Sequence, residues 1–554
     1  MPVCFSVVES DINAVQSVTQ EGRKFVRYKW RDKDKEQFES ELSGTRTDIL
    51  CVGIQAAAEE GNVDLAASLL QNIMERAGHN MKQRKNDGIK ERRNDWFDEE
   101  CGQAKHKMKA RLRVFRESRC DLDLERYLLA KEDYQLICSQ KKKNKEENRM
   151  KEIMSAVENK NSCLFWKLVS TKKIKSNSDC IEGRIWTQHF RNLLNVDTVV
   201  NWPIRDINPA HDDPILDRII SVDEIREELR KVKLGKAGGL DGIPPEFLRQ
   251  LASNENIINC IKVLFNNMFE KALFPSQWRI GIITTLFKGK GDRSDPSAYR
   301  GITLLPIISK AYTKILYNRL QEWTEENGKL NIFQAGFRKG FSCVDNIYVL
   351  NFLVERELHK KRQKLYCCFI DLKCAFDLTS REALWFKLTQ AGVSKKMLNV
   401  LKGIYEEVKF CLRLDSDVVT EDFESNIGLR QGCQFSSLLF AHFMNDLNEF
   451  LGQVESHAPC IGDIEIRALL YADDCVLLSQ SKVGLQRAID CFHRYCVMWL
   501  LTVNTLKTKV LVFSKGTKLG SKEKWYYNNV LLETVMAFNY LGVTLFRNGT
   551  GMDS

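Results

Sequence analysis

Asp473 and Asp474 stand side by side in Tyr471-Ala-Asp-Asp474, between the apolar runs Ala468-Leu-Leu470 and Cys475-Val-Leu-Leu478. This spacing predicts two strands joined by a tight turn, with two full charges at the tip of a hairpin whose flanks require burial. Carboxylates about 4 Å apart repel by about 4 kcal/mol at an effective dielectric near 20, so they diverge, take up a proton or share a cation. For the tetrapeptide alone a plain polar turn is the competing explanation, because aspartate is common in turns. A third acid shifts the weight. Leu365-Tyr-Cys-Cys-Phe-Ile370 is another strand-like apolar run, and it ends at Asp371. If one sheet holds both strands, the acids present hard oxygen ligands of the kind Mg²⁺ takes, with substrate phosphates completing the octahedron. Two such ions about 3.5–4 Å apart activate an attacking hydroxyl and stabilise a leaving pyrophosphate. The chemistry to expect is metal-assisted phosphoryl transfer.

The elements that would position these acids alternate between strand and helix. Ile280 to Phe287 is rich in β-branched residues and ends at Lys288-Gly-Lys-Gly-Asp292, while Leu485, Ile489 and Phe492 recur at helical spacing. Ser221-Val-Asp-Glu224 is a capping box, followed by Ile225, Leu229 and Val232 on one helical face. Gly235 to Pro245 carries too many glycines and prolines for a regular element, so a structured loop is expected. The class is α+β, with acids at strand ends. Nearer the start, Ala66, Leu69, Leu70 and Ile73 mark a helix between turns at Gly61 and Gly78. Asn94 to Lys175 is charge-laced, with Lys105–Arg119 and Lys141–Lys151 as helices offering either a solvated face or an RNA-binding surface. Cys491, His493 and Cys496 fall on different faces of one helix and predict buried residues rather than a zinc site.

Composition sets limits. The 83 Lys+Arg against 73 Asp+Glu give a net charge of +10, which suits a polyanionic partner without requiring one. The 18 cysteines show no secreted disulfide spacing. No apolar run approaches the length of a membrane span, and the first residues lack a signal peptide's basic start. A soluble intracellular protein of the nucleus or cytoplasm, without membrane contact, is expected.

Taken together and in order, the segment from about 221 to 546 resembles the polymerase domain of non-LTR (LINE-type, jockey-like) retrotransposon reverse transcriptases. Phe369-Ile-Asp371-Leu-Lys-Cys-Ala-Phe376-Asp377 resembles that family's first catalytic-acid motif and Tyr471-Ala-Asp473-Asp474 its second. Between them, Gly428-Leu-Arg-Gln431-Gly432 through Phe440 resembles the motif packed on template and incoming nucleotide. Phe274-Pro-Ser-Gln-Trp278, Asp295-Pro-Ser-Ala-Tyr299-Arg300 and Gln334-Ala-Gly336-Phe337-Arg338 resemble the fingers signatures. Leu501 to Lys509 and Phe538-Asn-Tyr540-Leu541-Gly542 resemble the last palm motifs and the primer grip.

The resemblance implies a right-hand polymerase fold: an antiparallel palm sheet with helices, fingers, and a mainly helical amino-terminal extension. It places the extension or linker at 1–220, the start of the fingers at 221–267, fingers and palm at 268–546, and the start of a thumb at 547–554. It implies RNA-directed DNA synthesis on an RNA template and a DNA primer or target, from deoxynucleoside triphosphates. Two Mg²⁺ ions, with Mn²⁺ as the alternative, would be held by Asp371 and Asp473, with Asp474 as the less direct acid. Phe376 falls on the steric-gate position that excludes a ribose 2′-hydroxyl, with a core aromatic as the competing reading. Gln431 and Gly432 would lie under the nascent base pair. Lys288 and Arg300 would face the triphosphate, and Lys507 would protonate pyrophosphate; an ordinary solvated cation is the alternative at each. An endonuclease and a full thumb are not recognisable, and Gly238-Gly239, Phe435-Ser-Ser437 and Leu378 depart from the family pattern. The other functional reading is therefore an inactive nucleic-acid-binding remnant.

Overall fold

The computed structural model describes residues 22–83, 96–159, 181–196, 212–360, 362–415, 417–515 and 523–549. Part of the expected charge-laced helical stretch and most of the expected thumb start, residues 550–554, lie outside them. The chain forms two compact units, one of Met1–Gln83 with Cys180–Ser554 and the other of Arg84–Asp179. This division runs through residues 1–220 rather than along their end.

The smaller unit contains an antiparallel-type helical hairpin. Asp98 caps the helix Glu99–Ser118 by accepting from the Cys101 N–H at 3.1 Å, and Arg119, with φ +50°, ends it. The second helix, Asp121–Glu158, packs along the first. Cys101, Ala130 and Cys138 are buried, and Lys141 reaches Asp98 and Glu100 at 2.6 and 2.7 Å. Lys105, Lys107, Lys109, Arg111 and Arg113 are all exposed, as sparse apolar spacing predicts.

In the larger unit, residues 22–83 share a core with residues 245–271. The helix Val63–Ala77 buries Ala66, Leu70 and Ile73, while Thr45–Glu59 lies on Glu255–Lys271. Phe38 meets Phe247 with ring centroids 4.6 Å apart. The capping box is present: the Ser221 side chain accepts from Glu224 N at 3.1 Å, and the Glu224 carboxylate accepts from Ser221 N at 2.9 Å. The same carboxylate takes a two-pronged contact from the fully buried Arg319, at 3.0 and 2.9 Å.

Two larger sheets organise most of the rest. In chain order their strands are β1 Ile280–Phe287, β2 Tyr299–Leu304, β3 Leu365–Ile370, β4 Lys409–Leu412 and β5 Phe423–Glu424. These are followed by β6 Ala468–Tyr471, β7 Asp474–Ser479, β8 Lys509–Phe513 and β9 Glu533–Val535, and by the separate hairpin β10 Ala537–Tyr540 and β11 Val543–Phe546. The four-stranded sheet has the order β2-β1-β4-β5, the five-stranded one β6-β7-β3-β8-β9. The five-stranded sheet is antiparallel, as the expected class has it, except for its outer pair β8 with β9, which is parallel. The connection from Phe513 to Glu533 has the length that a parallel crossover needs.

β3 lies at the centre of the five strands, which explains why its sequence is a continuous apolar run rather than an alternating one. Tyr366, Cys368 and Ile370 join the core that includes Leu485, Ile489 and Phe492 of the helix Lys482–Met498. Leu365, Cys367 and Phe369 face the opposite way, into the core of the helix Cys343–His359, where Phe369 stacks on Phe538 at 4.3 Å. Cys491 and Cys496 are buried as expected, with Cys491 Sγ 3.5 Å from the Phe450 carbonyl. Among the described residues no helix is long and apolar enough to cross a membrane.

Candidate active site

Where the apolar run of β3 stops, at Ile370, the chain delivers Asp371. The register sets Ile370 opposite Cys475, so Asp371 and Asp474 come to the same end of neighbouring strands. Ala472 and Asp473 form the two-residue turn between the paired Tyr471 and Asp474. Ala472 has φ +59°, a conformation that costs a residue with a Cβ roughly 1–2 kcal/mol. The surroundings hold it there. Gln334 Oε1 accepts from both Ala472 N at 3.2 Å and Gly336 N at 2.9 Å, and Leu470 exchanges backbone bonds with Phe333 and Ala335 at 2.9 Å each. A Cβ on Gly336 would stand 2.2 Å from Ala472 N, so this strap needs glycine at the point of closest approach.

Asp371 is fixed through its backbone, donating from N to Thr508 Oγ1 at 3.2 Å and accepting at O from Asn504 N at 2.8 Å. Its Oδ2 lies 3.6 Å from the ammonium of the largely exposed Lys507. Burial raises the Asp473 carboxyl above the ordinary range, with the Asp371 charge adding to the shift and Arg300 opposing it. Asp474 is more open to solvent, yet the protein on its inner side and the charges of Asp473 and Asp371 push it up to about 6. Asp473 and Asp474, both held protonation-prone beside Asp371, form a site short of positive charge.

That deficit suits a hard divalent cation. Among the described residues no three His, Cys, Asp or Glu side chains close around an ion by themselves. Such openness fits Mg²⁺, which keeps several waters and shares its shell with substrate phosphates.

The other expected residues fall around this centre. Arg300, on β2, acts electrostatically on Asp473. Lys288 is not brought to the acids: its ammonium donates to the Ser297 carbonyl at 2.7 Å, and its field reaches Asp377 and Cys374 instead. Phe376 stacks on the buried Phe440, with centroids 4.7 Å apart at 28°. Gln431 Nε2 donates to Asp377 Oδ1 at 2.9 Å, while its carbonyl accepts from Thr303 N at 3.0 Å. Burial lifts the Asp377 carboxyl to about 6, against the pull of the Gln431 amide and Lys288.

Gly432 uses its conformational freedom, at φ +111°, to press against β2, where an added Cβ would lie 2.3 Å from the Thr303 carbonyl oxygen. Gly432→Ala is therefore expected to cost at least about 2 kcal/mol and to loosen Gln431 from β2. An unchanged urea midpoint would show that the contact is dispensable. The sequence had not signalled Asp377, Thr508 or Gln334 as working parts. Each stands inside a quoted motif, but its partner is remote in the chain.

Comparison with known proteins finds similarity over the segment that carries these acids. Residues 288–545 match the family described as "Reverse transcriptase (RNA-dependent DNA polymerase)". These residues are similar to reverse-transcriptase domains. The chain is similar to the "Probable RNA-directed DNA polymerase from transposon BS" of Drosophila melanogaster, 28% identical over 59% of this chain and 36% of that protein. It is 26% identical to the "RNA-directed DNA polymerase from mobile element jockey" of the same fly, over 60% of this chain and 36% of the relative. A third relative, from the type-1 retrotransposable element R2 of Nasonia vitripennis, is 27% identical over 57% and 31%. The chain thus spans about a third of the length of these relatives.

Proposed function

We propose that this chain is an RNA-directed DNA polymerase of a non-LTR retrotransposon, adding deoxynucleotides to a primer 3′-hydroxyl on an RNA template. The observation that carries the reading is the meeting of Asp371, Asp473 and Asp474 at one end of two neighbouring strands, flanked by Lys507 and Arg300. In this reading the five-stranded sheet is the palm, and the four-stranded sheet with the helices from residue 221 onwards forms the fingers. Residues 1–220 serve as the extension and 547–554 as the start of a thumb. The partners are RNA, DNA primer or target and deoxynucleoside triphosphates, and the place of action is inside the cell.

Asp371 and Asp473 would hold two Mg²⁺ ions, with Asp474 supporting them; when bound, the ions neutralise phosphate charge and lower the barrier to attack by the primer hydroxyl. Arg300, whose charge acts on Asp473, and Lys288, whose ammonium rests on the Ser297 carbonyl and would have to leave it, would bind the triphosphate. Lys507, 3.6 Å from Asp371 and free to swing outwards, delivers a proton to the departing pyrophosphate. Gln431 and Gly432 form the floor under the new base pair, with the amide of Gln431 held by Asp377.

Primer extension on an RNA template with Mg²⁺ is the test. Incorporation of deoxynucleotides is expected; a folded preparation that binds RNA normally and extends nothing would leave only a nucleic-acid-binding remnant. Phe376 supplies a second expectation. With its ring backed by Phe440, removing bulk in Phe376→Val should raise ribonucleotide use by roughly tenfold or more, since a clash of a few kcal/mol is relieved. Competition between deoxy- and ribonucleotides at one template position measures this, and an unchanged ratio would move the gate elsewhere.

A further inference from the structure

Phe337 has φ +62°, a left-handed conformation that glycine adopts freely and a phenylalanine only under steric strain. The residue is 42% exposed, so burial does not compensate. The strain is imposed from both sides. Gly336 is clamped beneath the Tyr471–Ala472 backbone through Gln334, as described above. Arg338 is locked to Glu325 by contacts of 3.1 and 2.7 Å and to the Asn331 carbonyl at 3.3 Å. One side of the turn is thus tied to the hairpin carrying Asp473, the other to the helix Ile307–Glu326. Between two fixed neighbours the backbone can point the ring in few directions.

The direction taken brings it to Phe376. The two rings meet nearly edge to face, with centroids 6.3 Å apart at 84°, while Phe440 covers a face of Phe376. Phe440 is fully buried and serves as wall; Phe337 is solvent-facing and so borders whatever occupies the space in front of Phe376. A ring held at one face only can rock about its side-chain torsions, and a second contact at its edge restricts that motion. We propose that Phe337 is a specificity-determining residue, which holds Phe376 against the sugar of the incoming nucleotide and forms the next wall of the sugar slot. The proposal rests on the reading of Phe376 as the ring that excludes a 2′-hydroxyl.

Single-nucleotide insertion by the full chain tests it, with kcat/KM measured for a deoxy- and a ribonucleoside triphosphate of the same base. Phe337→Gly is expected to keep or raise the thermal midpoint, because it releases the positive-φ strain. It should nevertheless reduce the preference for the deoxynucleotide by up to about tenfold, the worth of one edge-to-face contact, chiefly through a lower KM for the ribonucleotide. Phe337→Tyr, which keeps the ring, should retain the preference. A Phe337→Gly chain with undiminished preference overturns the proposal. So does weaker RNA–DNA binding with the preference intact, which would assign the ring to template or primer. Phe376→Val run in parallel separates the two readings. No response there removes the gate itself, whereas a response there with none in Phe337→Gly removes only the role of Phe337.

Discussion

Asp473→Asn is expected to reduce primer extension by about a thousandfold or more. The substitution preserves shape and takes away one charge from a site whose work is to hold cations against phosphate. A metal contribution of several kcal/mol converts at 1.36 kcal/mol per tenfold into a loss of that size. Folding should not suffer. Burial and the neighbouring Asp371 already work against ionised Asp473, and Asp474 is raised by both neighbours, so one fewer negative charge relieves the cluster. The thermal midpoint without divalent ions should equal or exceed that of the unchanged chain. Adding Mg²⁺ should raise the midpoint of the parent, because a ligand bound only by the folded state stabilises it by mass action, and should raise that of Asp473→Asn less. Asp371→Asn should follow the same pattern, with its surface-type contact to Lys507 contributing little. Extension within tenfold of the parent in both variants would remove the two acids from the chemistry.

Much of this site is local, and local features are legible in sequence. The β6–β7 hairpin, the end of β3 at an acid and the Ser221 capping box each depend on residues a few positions apart, so periodicity and end signals find them. Contacts between distant segments are not encoded that way. Nothing in Gly428-Leu-Arg-Gln-Gly432 says that Gln431 will donate to Asp377 or that Gly432 will press on Thr303. The parallel placement of β9 follows from a crossover, and the merging of residues 22–83 with the core follows from Phe38 meeting Phe247. Phe337 carries no signal at all in its neighbours' types, since its conformation is set by Gln334, Ala472 and Glu325. Lys387 is intermediate. It lies four residues after Ala383 and three after Leu384 on the buried face of Arg381–Ala391, a helical spacing that carries the signal of an ion on an apolar face, although only the structure singles it out.

Lys387→Ala is expected to destabilise the larger unit by about 3 kcal/mol, towards the lower end for breaking a buried ion pair. The ammonium, on a side chain only 4% exposed, donates to Asp446 Oδ1 at 2.7 Å, the Phe443 carbonyl at 2.5 Å and Tyr495 Oη at 2.7 Å. It also lies 3.9 Å from the ring centre of Trp499. The lower figure is chosen because Asp446 keeps the Tyr495 hydroxyl, which donates to it at 2.6 Å. Lys387→Met fills the volume without the charge and should cost within about 1 kcal/mol, as apolar replacements of buried ions often do. Burial lowers the Lys387 ammonium from 10.5 to about 8, with Asp446 opposing. Between those values the folded chain has released a proton that the unfolded chain still holds, so this group makes stability rise with pH from about 8 towards 10.5. Other thiols and phenols titrate in the same window, so the quantity to measure is the difference in urea midpoint between the parent and Lys387→Met. That difference should move in favour of the parent as pH rises. A flat difference, or an alanine variant as stable as the parent, would mean that the lysine reaches solvent and that the cage of Phe443, Tyr495 and Trp499 is held together without it.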